Sequence, residues 1–490
     1  MKTIKSLLCI TLLIGGIFAS SLLLGTKTEI TTKAASNTTP PPAAINQIFP
    51  DANLAEIIRQ TLNKSSVTDQ VTQADLDWIK ELSGGSSNII DISGIEHLTN
   101  LNILNLADNQ ISDISPLANL TNLNNLYLDS NQISDISSLA PLTKLQSLYL
   151  MNNRINDISP LTNLTHLSNL YLDNNQINDI NPIANLANLQ FFDLTRNQIS
   201  DINPLANLTN LIYISISNNQ ISDITPLHNL GNLQYLYLSN NQISDITPLY
   251  NLGNLQYLYL SNNQISDITP LANLANLIFF TLDSQTITLP SIQRTNDLTI
   301  ENKVIDTAGS SITPTTISDG GTYNAPMIHW FNLPSTQSSV SYNFNTNITI
   351  GTFSGQVIQP LLEAYIVTYD IATNGGEGIA PESQTVLFDT LIPEPNAPAK
   401  SGHIFTGWYT AATGGDKWDF ATNKMPANNI TLYAQWTPIN QNDSSSNNNE
   451  EPLLPQTGQN DWFILLGFFA LISGAAVLFI KQKNTNKHSL

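Results

Sequence analysis

The sequence predicts a repeat solenoid: short parallel strands on a concave face, an irregular or 3-10 convex side, an α-helical cap in front and all-β modules behind. Three observations carry this prediction. Asn109, Asn131, Asn153, Asn175, Asn197, Asn219, Asn241 and Asn263 stand 22 residues apart. Asp113, Asp135, Asp157, Asp179, Asp201, Asp223, Asp245 and Asp267 keep the same step. Apolar pairs two residues apart, from Leu104/Leu106 to Leu258/Leu260, precede each Asn. A fixed period of this size means stacked supersecondary units, none of which can bury its apolar face alone.

The repeat reads L-x-L-x-x-N-x-I-x-D-I, a leucine-rich pattern with eight full copies over 104–279. A worn copy (Ile89, Ile92, Ile95, Leu98) precedes them, and a last strand follows at Phe280/Leu282. The L-x-L stretch is one short strand with alternate side chains turned inward. The Asn series forms a ladder, each amide pairing backbone groups of its own and the next coil that burial would leave unpaired. The Asp series binds turn N–H groups; its other reading, a metal ladder, lacks convergent partners. Pro116, Pro160, Pro182, Pro204, Pro226, Pro248 and Pro270 open the return segments, where a fixed φ and a missing N–H are tolerated. Ser138 breaks the Pro series, so its coil is expected to open differently.

Both ends of the stack need covers. Over 45–82, Leu54, Ile57, Ile58, Leu62, then Leu76, Ile79, Lys80 and Leu82 show helix-like spacing. This predicts two or three short helices, with Asp75 as an N-cap, in a cap of residues 36–82. The solenoid then occupies 83–284. Residues 285–365 lose the period and gain β-branched alternation, as in 300–304 and 340–350, which predicts a small β-sandwich. A second β module, 366–438, has Gly-Gly turns at 375–376 and 414–415 and holds Trp408, Trp418 and Trp436. An Asn/Ser/Glu-rich linker, 439–453, follows.

The two ends of the chain carry addressing signals. Lys2 and Lys5 precede an apolar stretch from Leu7 to Leu24, so residues 1–35 read as a signal peptide; an uncleaved anchor is the other reading. Residues 462–480 form a 19-residue apolar run, about one membrane span, followed in 481–490 by Lys481, Lys483 and Lys487 on the cytoplasmic side. Just before it stand Leu454, Pro455, Gln456, Thr457 and Gly458. These match the LPxTG sorting signal of Gram-positive surface proteins. That match implies that a sortase cuts between Thr457 and Gly458 and links Thr457 to peptidoglycan, with only a transient membrane stage.

Composition excludes several functions. Of 490 residues only 11% are charged, against about 25% on average, so Asn, Gln, Ser and Thr make the surface polar. The net charge is -20; the two end segments contribute +3 and +2, leaving -25 on residues 36–457. Such a surface repels polyphosphate and excludes nucleic acid as a partner. Cys9, the one cysteine, lies in the leader, so the mature chain has no disulfide, thiol nucleophile or thiolate metal site. None of the six histidines sits in a motif, and no H-E-x-x-H, G-x-S-x-G or P-loop occurs. No catalysis, cofactor or metal is expected.

This order of parts resembles the internalin family of bacterial surface proteins. The stretch N-Q-I-S-D-I-x-P-L, literal at 109–117 and 241–249, is characteristic of that family. The helical cap and the module behind the repeats resemble it too, and so imply that the 285–365 sandwich is immunoglobulin-like. Within 366–438, Phe405-Thr406-Gly407-Trp408-Tyr409 and Leu432-Tyr433-Ala434-Gln435-Trp436 are similar to the internalin B-repeat. The resemblance implies a secreted, wall-anchored protein whose solenoid binds a host cell-surface protein, in adhesion or invasion.

Strand register then nominates the ligand face. Phe191, Tyr213, Tyr235, Tyr257 and Phe279 stand just before the first core residue of their strands. Tyr127, Tyr149, Tyr171, Tyr237 and Tyr259 stand between the two core residues, where Asp193 and Ser215 interrupt the series. An arc of nine strands spans roughly 40 Å, which suits a protein better than a small molecule. Tyrosine joins contact area to a polar tip. Aromatic residues also favour strands, so the same columns have a purely structural reading. Residues 224–245 and 246–267 differ only at His228/Tyr250, so Tyr235, Tyr237, Tyr257 and Tyr259 reflect one duplication. Tyr127, Tyr149 and Tyr171 are therefore the stronger candidates. The alternative function is an envelope or colonisation role, binding wall polymers, glycans or other bacterial surface proteins.

Overall fold

The computed structural model describes residues 39–348 and 350–439. The leader, the sorting motif Leu454, Pro455, Gln456, Thr457 and Gly458, the apolar run at 462–480 and the basic tail lie outside the described residues, as does the linker beyond residue 439. Among the described residues no helix is long and apolar enough to cross a membrane. The chain divides into two compact units, one built on residues up to 366 and one on most of 367–439.

The cap contains helices Ile45–Ile48, Ala52–Thr61 and Gln73–Leu76. Asp51 caps the middle one, its Oδ1 accepting from Asn53 and Leu54 N–H, while its Oδ2 accepts from Ile90 and Asp91 N–H of the worn coil. One carboxylate thus ends a helix and fastens the cap to the stack. The third helix begins at Thr72, not at Asp75. Thr72 has the extended φ of -99° and ψ of 166° that an N-cap needs, and Asp75 is its reciprocal partner in a capping box. The helical spacing also ends sooner than the sequence suggests. Leu82 lies in strand Glu81–Ser83, paired in parallel with Ile103–Asn105 and with Leu82 opposite Leu104.

The concave sheet therefore has ten parallel strands rather than nine, from Glu81–Ser83 to Phe279–Thr288. Each solenoid strand is three residues long except the last, which has ten. The inward leucines and isoleucines are buried throughout, and the worn coil's Ile89, Ile92, Ile95 and Leu98 join the same core.

Backbone satisfaction explains the repeated polar residues. Asn131 Nδ2 donates to the carbonyls of Leu128 and Asp129 in its own coil and of Leu106 in the coil before. Its Oδ1 accepts from Ile111 N–H, also in the preceding coil. The second coil bridged is thus the preceding one and not the next. The same pattern recurs at Asn109, Asn153, Asn175, Asn197, Asn219, Asn241 and Asn263. Gln285, one period beyond Asn263, completes the ladder by accepting from Ile265 N–H and donating to Leu260 O. Each Asp of the second series accepts from the N–H two residues on, at 2.8 Å for Asp113 to Ser115, and so closes the turn into a short 3-10 helix.

Ser138 does not change its coil. The 3-10 helix Ser137–Leu139 starts after Ile136 at φ -114°, ψ 18°, against -112°, 15° for Ile114 in a Pro-bearing coil. Proline is permitted at this position rather than required, since the flanking residues Ile136 and Ala140 keep the backbone angles of Ile114 and Ala118 with serine in its place.

The sheet does not stop at the last repeat. Phe279–Thr288 continues past residue 284 and pairs in parallel with Gly351–Leu362, which pairs antiparallel with Ser339–Ile348. Gly355 permits the close approach, since a Cβ there would lie 2.3 Å from Gln285 O. A separate three-stranded sheet, Leu298–Glu301, Met327–Trp330 and Thr322–Asn324, completes the region. Trp330, Tyr342, Phe344 and Phe353 are buried there. The sandwich behind the repeats is therefore an outgrowth of the solenoid sheet rather than an independent fold. In the second unit His403–Tyr409 pairs antiparallel with Ile430–Pro438, and Val367 pairs in parallel with Ile430. Trp408 is buried against Tyr369 at 4.9 Å and Phe405 at 5.6 Å.

Candidate functional site: the concave sheet face

Parallel in-register pairing places equivalent positions of successive coils directly side by side. Tyr127, Tyr149 and Tyr171 form one continuous stack, with centroids 4.6 and 4.7 Å apart and planes within 20°. A second aromatic group lies toward the C-terminal end. Tyr235 and Tyr257 stack at 5.2 Å, and Tyr237 and Tyr259 at 4.5 Å. Phe191 and Tyr213 meet at 6.4 Å, Tyr213 reaches diagonally to Tyr237 at 5.4 Å, and Phe279 tilts against Tyr259 at 5.7 Å. All ten nominated side chains thus lie on the concave face, gathered as two groups.

These rings bury one another only in part. Nine of the ten are half-buried and Phe279 is exposed. Burial raises the hydroxyls of Tyr149 and Tyr237 to about 12, with neighbouring tyrosines adding to the effect. Those of Tyr171 and Tyr213 are also raised, by burial first, then by Tyr149 for Tyr171 and by Asp193 for Tyr213. The hydroxyls therefore stay neutral at physiological pH and can donate. A stack of flat faces with a polar edge offers large contact at small entropic cost. Stacking also adds to strand pairing by itself.

Three carboxylates between and beside the stacks were not singled out as a group by sequence reasoning. Asp193 occupies the tyrosine column itself; Asp129 and Asp173 stand two positions beyond Tyr127 and Tyr171. Burial, then Asp193, raises Asp173 to about 7, while Arg196 opposes the shift. Asp173 Oδ1 is buried without a hydrogen-bond partner among the described residues. Burial also raises Asp193, countered by hydrogen bonds from Thr195 N–H at 2.9 Å and from nearby hydroxyls. Asp129 is raised by burial and by Asp108. The signal was in the period: residues 127, 149, 171 and 193 share one column, so an acid there interrupts an aromatic row. The buried environment that perturbs it depends on packing between coils.

Histidines 166 and 228 lie on return segments, each with Nδ1 against a backbone carbonyl. Among the described residues no group of three or more His, Cys, Asp or Glu is placed to hold a metal ion.

Known families account for the parts in order. Residues 32–77 match the N-terminal domain of bacterial adhesion/invasion proteins, and overlapping leucine-rich-repeat matches cover most of 99–292. Residues 309–362 match a domain described as adjacent to leucine-rich repeats, and 365–435 match the Listeria-Bacteroides repeat domain. Internalin H of Listeria monocytogenes is 50% identical over 161 residues, 32% of this chain and 28% of its own length. Internalin C of the same species is 41% identical over 76 residues, 16% of this chain and 26% of its own length. The matches thus span about a quarter of the length of these two relatives. A crystallised Listeria monocytogenes internalin (inlF) is 45% identical over 50% of this chain and 79% of its own, with a TM-score of 0.46. InlP of Listeria monocytogenes, 21% identical over 66% of this chain and 99% of its own with a TM-score of 0.52, shares the fold. The chain belongs to the internalin family of leucine-rich-repeat proteins.

Proposed function

We propose that this protein is linked to peptidoglycan by a sortase and uses its concave sheet to bind a protein on a host cell surface, in adhesion or invasion. The observation that supports the binding reading is the continuous stack of Tyr127, Tyr149 and Tyr171 on an unpartnered sheet face. The order of sorting motif, apolar run and basic tail supports wall attachment. The family match adds that the N-terminal region resembles that of adhesion/invasion proteins.

Flow cytometry with labelled residues 36–437 on animal cells, run beside purified bacterial walls, tests the binding reading. Saturable cell binding that falls when Tyr127, Tyr149 and Tyr171 are all changed to Ala supports it. Retention on walls without cell binding favours the envelope role instead. For anchoring, Thr457→Ala is expected to release the protein from the wall fraction. Continued covalent attachment to peptidoglycan would contradict sortase linkage.

A further inference from the structure

We propose that Asn374 is a modification site, a deamidation that the folded second unit blocks and that local opening of that unit releases, irreversibly. The proposal is independent of the concave-face reading. Asn374-Gly375 is the one Asn-Gly pair in the 490 residues. Such a pair cyclises readily, because glycine has no side chain to obstruct attack by its own nitrogen. The eight ladder asparagines, by contrast, are followed by Gln or, at Asn153, by Arg154.

The Gly375 nitrogen attacks Cγ of Asn374 and forms a new N–C bond. The Cγ–Nδ2 bond breaks, and Nδ2 leaves as ammonia with the proton that Gly375 gives up. Solvent water then adds across one side of the cyclic imide, leaving aspartate or isoaspartate. In the folded unit both reacting groups are engaged. Gly375 N–H donates to Ala372 O at 2.9 Å. Asn374 Nδ2 donates to Ala412 O at 2.7 Å and to Ala434 O at 2.9 Å, which fixes the half-buried amide between a loop and strand Ile430–Pro438. Lys400 Nζ donates to Asn374 O at 2.7 Å and lies 5.4 Å from the centre of the Trp436 ring. Cyclisation needs the amide to turn and the Gly375 N–H to be freed, so those bonds break first. The rate then follows the population of the open form.

Neither product fits the place that the amide leaves. An ionised aspartate only accepts hydrogen bonds, so it takes a donor from the carbonyls of Ala412 and Ala434 and sets a negative charge against them. Isoaspartate also lengthens the main chain by one carbon, and the turn has no slack for it. A Cβ at Gly376 would lie 2.6 Å from the Trp436 ring and 2.8 Å from Ile371 O. Gly376 N–H is itself bound to Ile371 O at 2.8 Å. Opening of this unit is therefore reversible only while the amide survives.

Peptide mapping by mass spectrometry tests this on the purified full chain, held at mildly alkaline pH in buffer and in denaturing urea. In urea, aspartate and isoaspartate are expected to accumulate at Asn374 faster than at any ladder asparagine. In buffer the same change is expected to be at least about tenfold slower. Equal rates in buffer and urea, or no reaction at Asn374 in urea, overturn the proposal. Hydrogen exchange of Asn374→Asp tests the irreversible part. Asn396→Asp, which puts the same charge at an exposed position of the same unit, is its control. Exchange across 403–409 and 430–438 is expected to rise at least about fivefold in Asn374→Asp and to stay unchanged in Asn396→Asp. Unchanged exchange in Asn374→Asp, or an equal rise in both variants, overturns the claim that the product cannot be accommodated. The kinetic comparison uses the unaltered chain, so it decides the gating even if Asn374→Asp fails to fold.

Discussion

Within each coil the ladder edge and the sheet face obey opposite rules. At the ladder edge Asn recurs without exception from Asn109 to Asn263, because each amide closes backbone groups of two coils that are otherwise buried unpaired. On the sheet face, backbone pairing is complete without side chains, so the outward positions are free to be Asn, Ser, Phe, Tyr or Asp. Repetition marks where the fold needs a particular group. Variation marks where it does not, and there a ligand can impose its own demands.

That contrast can be broken by exchanging the roles of the two sides. Asn153→Leu strands Ile133 N–H and removes one of two donors from each of the carbonyls of Leu128, Leu150 and Met151. It is expected to cost about 2–4 kcal/mol in urea unfolding. Replacing Tyr127, Tyr149 and Tyr171 together by Ala should reverse the balance. Cell binding is expected to drop at least about tenfold, with a smaller loss of stability, about 1 kcal/mol in the same unfolding assay. The Tyr235/Tyr257 double Ala variant, drawn from the duplicated coils, should lower binding by less.

Asp173 sharpens the comparison through pH. Its carboxyl is held at about 7 in the folded protein, against 3.8 for an unperturbed Asp, chiefly by burial and Asp193. A raised folded value means the folded state binds the proton better. The associated stability is complete below about 3.8 and is lost as pH rises through about 7. Asp173→Asn should therefore remove part of the stability difference between pH 5 and pH 8, on the order of 1 kcal/mol for a half-buried group. The smallest effect belongs to the convex side. Ser138→Pro is expected to stabilise by about 0.4–1 kcal/mol, since the coil already has the Pro-compatible geometry. A lower melting temperature for that variant would show that the Ser138 N–H has a role.

The parts of the fold that repeat were legible because the same physical need recurs every 22 residues. The two end coils were less legible for the same reason. Leu82 is one period before Leu104 and Gln285 one period after Asn263, yet Ser87 and Gln285 replace the Asn that announces a coil. Strand pairing and carbonyl satisfaction survive those changes; the motif does not. Asp75 was misplaced because Thr72 and Asp75 both suit a helix start, and only backbone angles decide between them. The tyrosine columns followed from register alone. The Asp173–Asp193 pair did not, because its character comes from burial between adjacent coils.

The most direct test of the concave face as the recognition surface is tyrosine iodination of the protein, free and bound to animal cells, read by mass spectrometry. Tyr250 is the internal control, an exposed tyrosine on the return segment of a coil whose Tyr257 and Tyr259 lie on the sheet. The account predicts that binding protects Tyr127, Tyr149 and Tyr171 and leaves Tyr250 as reactive as before. Protection of Tyr250 with unchanged reactivity on the sheet face would place the partner on the convex side and contradict it.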